Sequence, residues 1–101
     1  MERPMRTGNE IIKILSFYKP ELCVRYPLKE IGIFGSYLTG DQKKNSDIDI
    51  LVEYEKPVSL LEFVNLKNYL TDLLEMDVDL VMKKALKPTL SRRILQEVVY
   101  V

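Results

Sequence analysis

Two aspartates one residue apart, Asp47 and Asp49, open an otherwise apolar run, Asp47-Ile-Asp-Ile-Leu-Val52. Side chains alternate along a strand, so both carboxylates point to one face, with backbone positions roughly 6–7 Å apart. Ile48, Ile50 and Val52 point to the other face, toward a core. Like charges this close resist being ionised together and resist burial. The chain has no histidine to neutralise them. A cation resolves the conflict, since Mg²⁺ takes hard oxygen ligands and leaves positions for water and phosphate. Where two metals act, a third carboxylate is expected. Asp77 and Asp79 repeat the one-residue gap. Asp79, inside Val-Asp-Leu-Val, is the harder to explain by structure alone; Asp77 reads as a surface residue.

The segment before this run suits an anion. Gly35 ends an apolar stretch, and Ser36 is expected at the N-cap of a short helix, where backbone N–H groups and a hydroxyl face a phosphate. Gly40 lets the chain turn back, and Lys43 and Lys44 could screen phosphate charge. Gly35 and Gly40 have the glycine spacing of a P-loop, but Asp41-Gln42 follows where Lys-Ser/Thr is required. A calcium loop starting at Asp41 fails too, with Lys43 at its third position and Ser46 in place of its glycine. Plainer readings stand beside these. The aspartates could cap a turn in solvent, Ser36 could be a simple helix cap, and the lysines could belong to a solvated loop.

The elements that must position these groups follow from patterning. Thr7-Gly-Asn-Glu10 has capping-box spacing, and Ile11, Ile12, Leu15 and Tyr18 form a stripe, predicting a helix from about Gly8 to Lys19, stopped by Pro20. Ile31 to Gly35 reads as a buried strand, and Asp47 to Tyr54 as a second. Ser59-Leu-Leu-Glu62 opens a helix to about Glu75, with Leu60, Leu61, Phe63, Val64, Leu70, Leu73 and Leu74 on its expected buried face. Asp77 to Met82 is a third strand. Pro88 starts a last helix to about residue 98, with Leu90, Ile94, Leu95 and Val98 expected inward. The order implies an α/β (α+β) fold, a mixed sheet of about three or four strands flanked by helices.

At 101 residues the chain is expected to form a single domain, 1–101. Its 15 basic and 15 acidic residues cancel, so no direct nucleic-acid contact is expected. No apolar run is long enough to span a bilayer, and no secretory leader is visible. A single cysteine excludes an internal disulfide, and the absence of histidine excludes Ser-His and Cys-His catalysis within the chain. A cytoplasmic location is the default expectation.

Gly35-Ser36, then Asp47-Ile-Asp49 on a strand, then Asp79 on a later strand resembles the DNA polymerase beta superfamily of nucleotidyltransferases. The short length and the G-S-Y-L-T-G and S-D-I-D-I-L-V segments look like its smallest members, the minimal nucleotidyltransferase (MNT) antitoxins of HEPN–MNT toxin–antitoxin pairs. The resemblance covers roughly residues 8 to 100. It implies a small nucleotidyltransferase fold and a Mg²⁺-dependent enzyme that transfers AMP from ATP to a tyrosine of a HEPN-family ribonuclease toxin. It further implies that Asp47, Asp49 and Asp79 hold two Mg²⁺ ions and that Gly35 and Ser36 grip the phosphates. Many relatives read G-S-R-A-R-G; here Tyr37 and Thr39 replace both arginines. Lys43, Lys44 or a partner residue would then serve the triphosphate. The alternatives are a catalytically weak binding antitoxin and a nucleotide-binding accessory subunit of a larger transferase. A homodimer and a hetero-oligomer both remain open.

Overall fold

The structure, a computed structural model, describes residues 6–43 and 46–101. Helix α1 (Gly8–Arg25) leads into strand β1 (Leu28–Phe34) and a one-turn helix α2 (Ser36–Thr39). Strand β2 (Ile48–Tyr54), helix α3 (Leu60–Leu74) and strand β3 (Val78–Met82) form a β-α-β unit. A 3₁₀ turn (Lys83–Ala85), helix α4 (Pro88–Glu97) and the short strand β4 (Val99–Tyr100) complete the chain. The strands make one four-stranded sheet, ordered β3-β2-β1-β4. β2 runs parallel to β3 and β1 runs antiparallel to both β2 and β4, so the sheet is mixed as expected.

Alternation along the strands decides where the core lies. Ile31, Ile33, Ile48, Ile50 and Val52 are fully buried, and Ile11, Leu15 and Leu22 of α1 and Leu66, Leu70 and Leu74 of α3 are buried in the same cluster. Burying side chains of this size contributes about 1.5–3 kcal/mol each before chain entropy is counted. The aspartates lie on the opposite parity. A register shift between Leu28 and Glu30 returns Leu28 to the Tyr54 side of the β1–β2 pairing.

Four expectations are corrected. Pro20 does not stop α1, which runs to Arg25. The missing N–H weakens one turn, but Leu22 is fully buried and its carbonyl takes the closing bond from Tyr26 N at 2.9 Å. Ser36 is not an N-cap; Gly35 holds that position, with no side-chain cap bond, and Ser36 is the first helical residue. On α3 the 66-70-74 stripe faces the core, with Phe63 and Leu73 partly buried against it. Leu60, Leu61 and Val64 point away and are exposed, because a helix lays only one stripe on a sheet. No residue of α4 is buried: Leu90 and Leu95 are exposed and Ile94 is half-buried. Val98, just past α4, is half-buried and sits over Gly32, with Cγ2 2.8 Å from where a Cβ would stand.

Candidate active site

The acidic residues gather at one end of the sheet. Asp49 and Asp79 are paired positions on the parallel strands β2 and β3, so their backbones lie about 4.8 Å apart. Opposed like charges destabilise a ladder, and the arrangement moves the Asp49 carboxyl up to about 6. Burial is the largest cause, followed by the Asp79 charge, a carboxyl hydrogen bond with Asp79, and the Asp47 charge. Asp47 precedes β2 and is exposed, Asp49 is half-buried, and Asp79 is exposed.

On the other side of Asp49 stands Phe34, its partner on β1, and then Gly35. Gly35 has φ 81 and ψ −152, a conformation open to glycine alone. A Cβ on it would fall on Asp49 Oδ2. The glycine therefore does two things: it turns the chain from β1 into α2, and it lets the backbone press against the carboxylate. Gly40 closes α2 in the left-handed region, with φ 81, and its N–H donates to Ser36 O at 3.0 Å. The sequence expectation for that turn is met.

Ser36 is half-buried at the start of α2, one residue beyond the Gly35 contact with Asp49. Lys43 lies in an exposed turn, its N–H donating to Ser46 Oγ at 2.8 Å. Lys44 lies outside the described residues. Asp77 is exposed, and its carbonyl accepts the Ile48 N–H at 3.0 Å. Among the described residues no group of three or more His, Cys, Asp and Glu side chains closes into a ready-made metal set.

The structure thus brings an acidic pair with one raised carboxyl beside a glycine-bounded turn from the adjacent strand. Residues 11–101 match the sequence profile of the nucleotidyltransferase domain. The chain belongs to the nucleotidyltransferase domain family.

Within that family, the chain is 50% identical over 97 residues to the protein adenylyltransferase MntA of Thermococcus cleftensis, covering 96% of this chain and 98% of the relative. Two solved structures share the fold. One is a toxin–antitoxin with AMP-PNP, with TM-score 0.67 and 32% identity, covering 94% of this chain and 72% of that one. The other holds a tri-AMPylated Shewanella oneidensis HEPN toxin in complex with its MNT antitoxin. Its TM-score is 0.58 at 28% identity, covering 92% of this chain and 66% of that one.

This nucleotidyltransferase departs from the arginine-bearing loop pattern, and the structure shows where the substitutes go. Tyr37 is buried in the core cluster, and Thr39 donates to Asp41 Oδ2 at 2.9 Å. Neither side chain carries charge. The contact between Gly35 and the Asp49 carboxylate was not visible in the sequence, because it depends on the register that brings Phe34 opposite Asp49.

Proposed function

We propose that the chain is a protein adenylyltransferase that transfers AMP from ATP to a tyrosine hydroxyl of a HEPN-family toxin, acting as the antitoxin of the pair. The observation that carries this reading is the Asp49–Asp79 pair closed on one flank by the Gly35 turn. The names of the relatives, an adenylyltransferase and antitoxins solved with AMP-PNP and with an AMPylated toxin, support it.

In the reaction the acceptor oxygen forms a bond to the α-phosphorus of ATP. The bond from that phosphorus to the bridging oxygen breaks, and pyrophosphate leaves. Asp79, exposed on β3, is a carboxylate an incoming hydroxyl can reach, and it takes the proton. The N–H groups of Ser36 and Tyr37 open α2, ahead of the Leu38 and Thr39 N–H groups that donate to Gly35 O, and they bind phosphate oxygens. Lys43 adds positive charge from the neighbouring turn.

The residues fit Mg²⁺. The Asp49 carboxyl, held beside Asp79 and raised from its ordinary 3.8 to about 6, is destabilised as an anion and gains from a cation. Asp49 and Asp79 would hold it, with Asp47 closing in from the start of β2 to complete a set that the three do not form without the ion, and it would supply charge neutralisation at the phosphates.

The test is incubation of the purified protein with α-labelled ATP, Mg²⁺ and its toxin, followed by mass spectrometry of the separated toxin. Added adenylyl groups on tyrosine, absent with Asp47→Asn, are expected. An unmodified toxin that regains ribonuclease activity after separation would replace the enzyme by a covering antitoxin. The uncharged Tyr37 and Thr39 are the observation that keeps this second reading in view.

A further inference from the structure

Tyr37 is the second residue of α2, yet its side chain is only 6% exposed and packs within the hydrophobic core. The first turn of α1 presses on it from behind, since a Cβ on Gly8 would run into the Tyr37 carbonyl oxygen. The hydroxyl donates to Ser46 O at 3.4 Å. The bond is long for a hydroxyl donor, but it lands at a telling place. Ser46 O belongs to the peptide that joins Ser46 to Asp47. The next peptide, joining Asp47 to Ile48, donates its N–H to Asp77 O at 3.0 Å. Both peptide planes flanking Asp47 are thus tethered, one to α2 and one to the approach to β3.

Among the described residues, further bonds of this loop are local. Asp41 N donates to Ser36 O at 3.1 Å, Lys43 N to Ser46 Oγ at 2.8 Å, and Ser46 N to Lys43 O at 3.0 Å. These bonds shape the turn within itself. We infer that Tyr37 is a positioning residue: its buried ring and its hydroxyl fix the Ser46–Asp47 peptide and so hold the Asp47 carboxylate at the acidic cluster. The effect on catalysis rests on the adenylyl-transfer reading; the effect on the loop does not.

Tyr37→Phe keeps the ring and removes only the hydroxyl. Three measurements on it decide the matter: amide hydrogen exchange of the ligand-free protein, Mn²⁺ binding followed by paramagnetic broadening without turnover, and steady-state adenylyl transfer. The Ile48 amide, which donates to Asp77 O, is expected to exchange about tenfold faster while α1 and α3 amides stay unchanged. Half-saturation by Mn²⁺ is expected to need several-fold more metal, and kcat at saturating metal to stay within about twofold. Wild-type exchange at Ile48 together with wild-type Mn²⁺ half-saturation would overturn the inference. So would faster exchange spread evenly over the chain, which marks general loosening. Tyr37→Leu, which removes the ring as well, is expected to exceed Tyr37→Phe in both local effects. Failure of the wild type to transfer AMP would overturn the adenylyltransferase reading, and the exchange and Mn²⁺ results would still decide the role of Tyr37.

Discussion

Asp79 stands directly beside Asp49 across the parallel β2–β3 ladder, and the Gly35 turn closes on Asp49 from the β1 side. A hydrophobic sheet gains nothing from two facing carboxylates. Their cost is visible in the raised Asp49 carboxyl, and a site that binds a cationic or metal-bearing substrate recovers it. Asp49→Asn and Asp79→Asn are therefore expected to fold normally while label transfer falls by at least about 10²-fold. Circular dichroism and transfer assays on the same preparations check this. Full activity in either variant would remove that carboxylate from the site.

The same pair sets a pH dependence with a definite sign. Asp49 is raised from its ordinary 3.8 to about 6, so the folded state holds this proton more tightly than the unfolded chain does. Its contribution to stability is fully present below about pH 4 and is lost as pH rises through about 6. The gap is worth on the order of 1–2 kcal/mol once solvent around a half-buried carboxyl is allowed for. In metal-free buffer, Asp49→Asn is expected to be more stable than the wild type by that amount at pH 8, and the difference to shrink toward zero by pH 4. Urea midpoints measured at both pH values test it, and a constant difference would contradict it.

The two left-handed glycines of the loop should behave differently. Gly40 has φ 81 but open space around its Cα, so Gly40→Ala costs only backbone strain, about 1–2 kcal/mol. Gly35 has φ 81, an extended ψ and the Asp49 carboxylate against its Cα. Gly35→Ala is expected to cost about 1–3 kcal/mol in strain and in addition to displace Asp49. Stability should fall in both variants, whereas ATP binding by calorimetry should fail only in Gly35→Ala.

Much of this was legible in the sequence because it rests on local periodicity. The parity of Asp47 and Asp49 against Ile48, Ile50 and Val52, the two capping boxes and Pro88 at a helix start all reappear. Thr7 and Ser59 accept the N–H groups of Glu10 and Glu62, as their spacing predicts. What was not legible depends on long-range geometry. The 7-residue β1 is longer at its start than its apolar stretch suggests, because Leu28 gains a partner in Tyr54. β4, two residues long, exists only because β1 offers an edge to Val99 and Tyr100. Which stripe of α3 meets the sheet could not be chosen from its leucines alone. The pairing of Asp49 with Asp79 likewise needs the register of β2 on β3.

Tyr54 gives a test of the core away from the site. It is 7% exposed, and its hydroxyl is buried without a hydrogen-bond partner among the described residues. Burial, helped by Tyr26 and Glu62, pushes the phenol up to about 12. A buried polar group without a partner costs about 1–3 kcal/mol. Tyr54→Phe keeps the ring and removes the orphan group, so denaturant unfolding is expected to show unchanged or higher stability, by up to about 1 kcal/mol. A loss of more than 1 kcal/mol would point to a bond that forms to this hydroxyl in solution.

Ligand linkage gives the last expectation. A ligand that binds only the folded chain stabilises it by RT ln(1 + [L]/Kd), about 2.7 kcal/mol at a hundredfold excess over Kd. In a domain of this size each kcal/mol moves the melting temperature by roughly 4–8 °C, so Mg²⁺ with ATP should raise it by about 10 °C or more. The rise should need both components together, because the phosphates enter a site already crowded with carboxylates and the repulsion must be neutralised. ATP with excess chelator is expected to give almost none of it. Asp49→Asn separates the contributions. Its ligand-free protein should melt higher than the wild type at pH 8, since the repulsion is gone, while its shift with Mg²⁺ and ATP should fall to a few degrees. Differential scanning fluorimetry of both proteins, with and without nucleotide, reads the two effects in opposite directions. An Asp49→Asn protein that keeps the full nucleotide shift would place the metal and the triphosphate away from the β2–β3 pair.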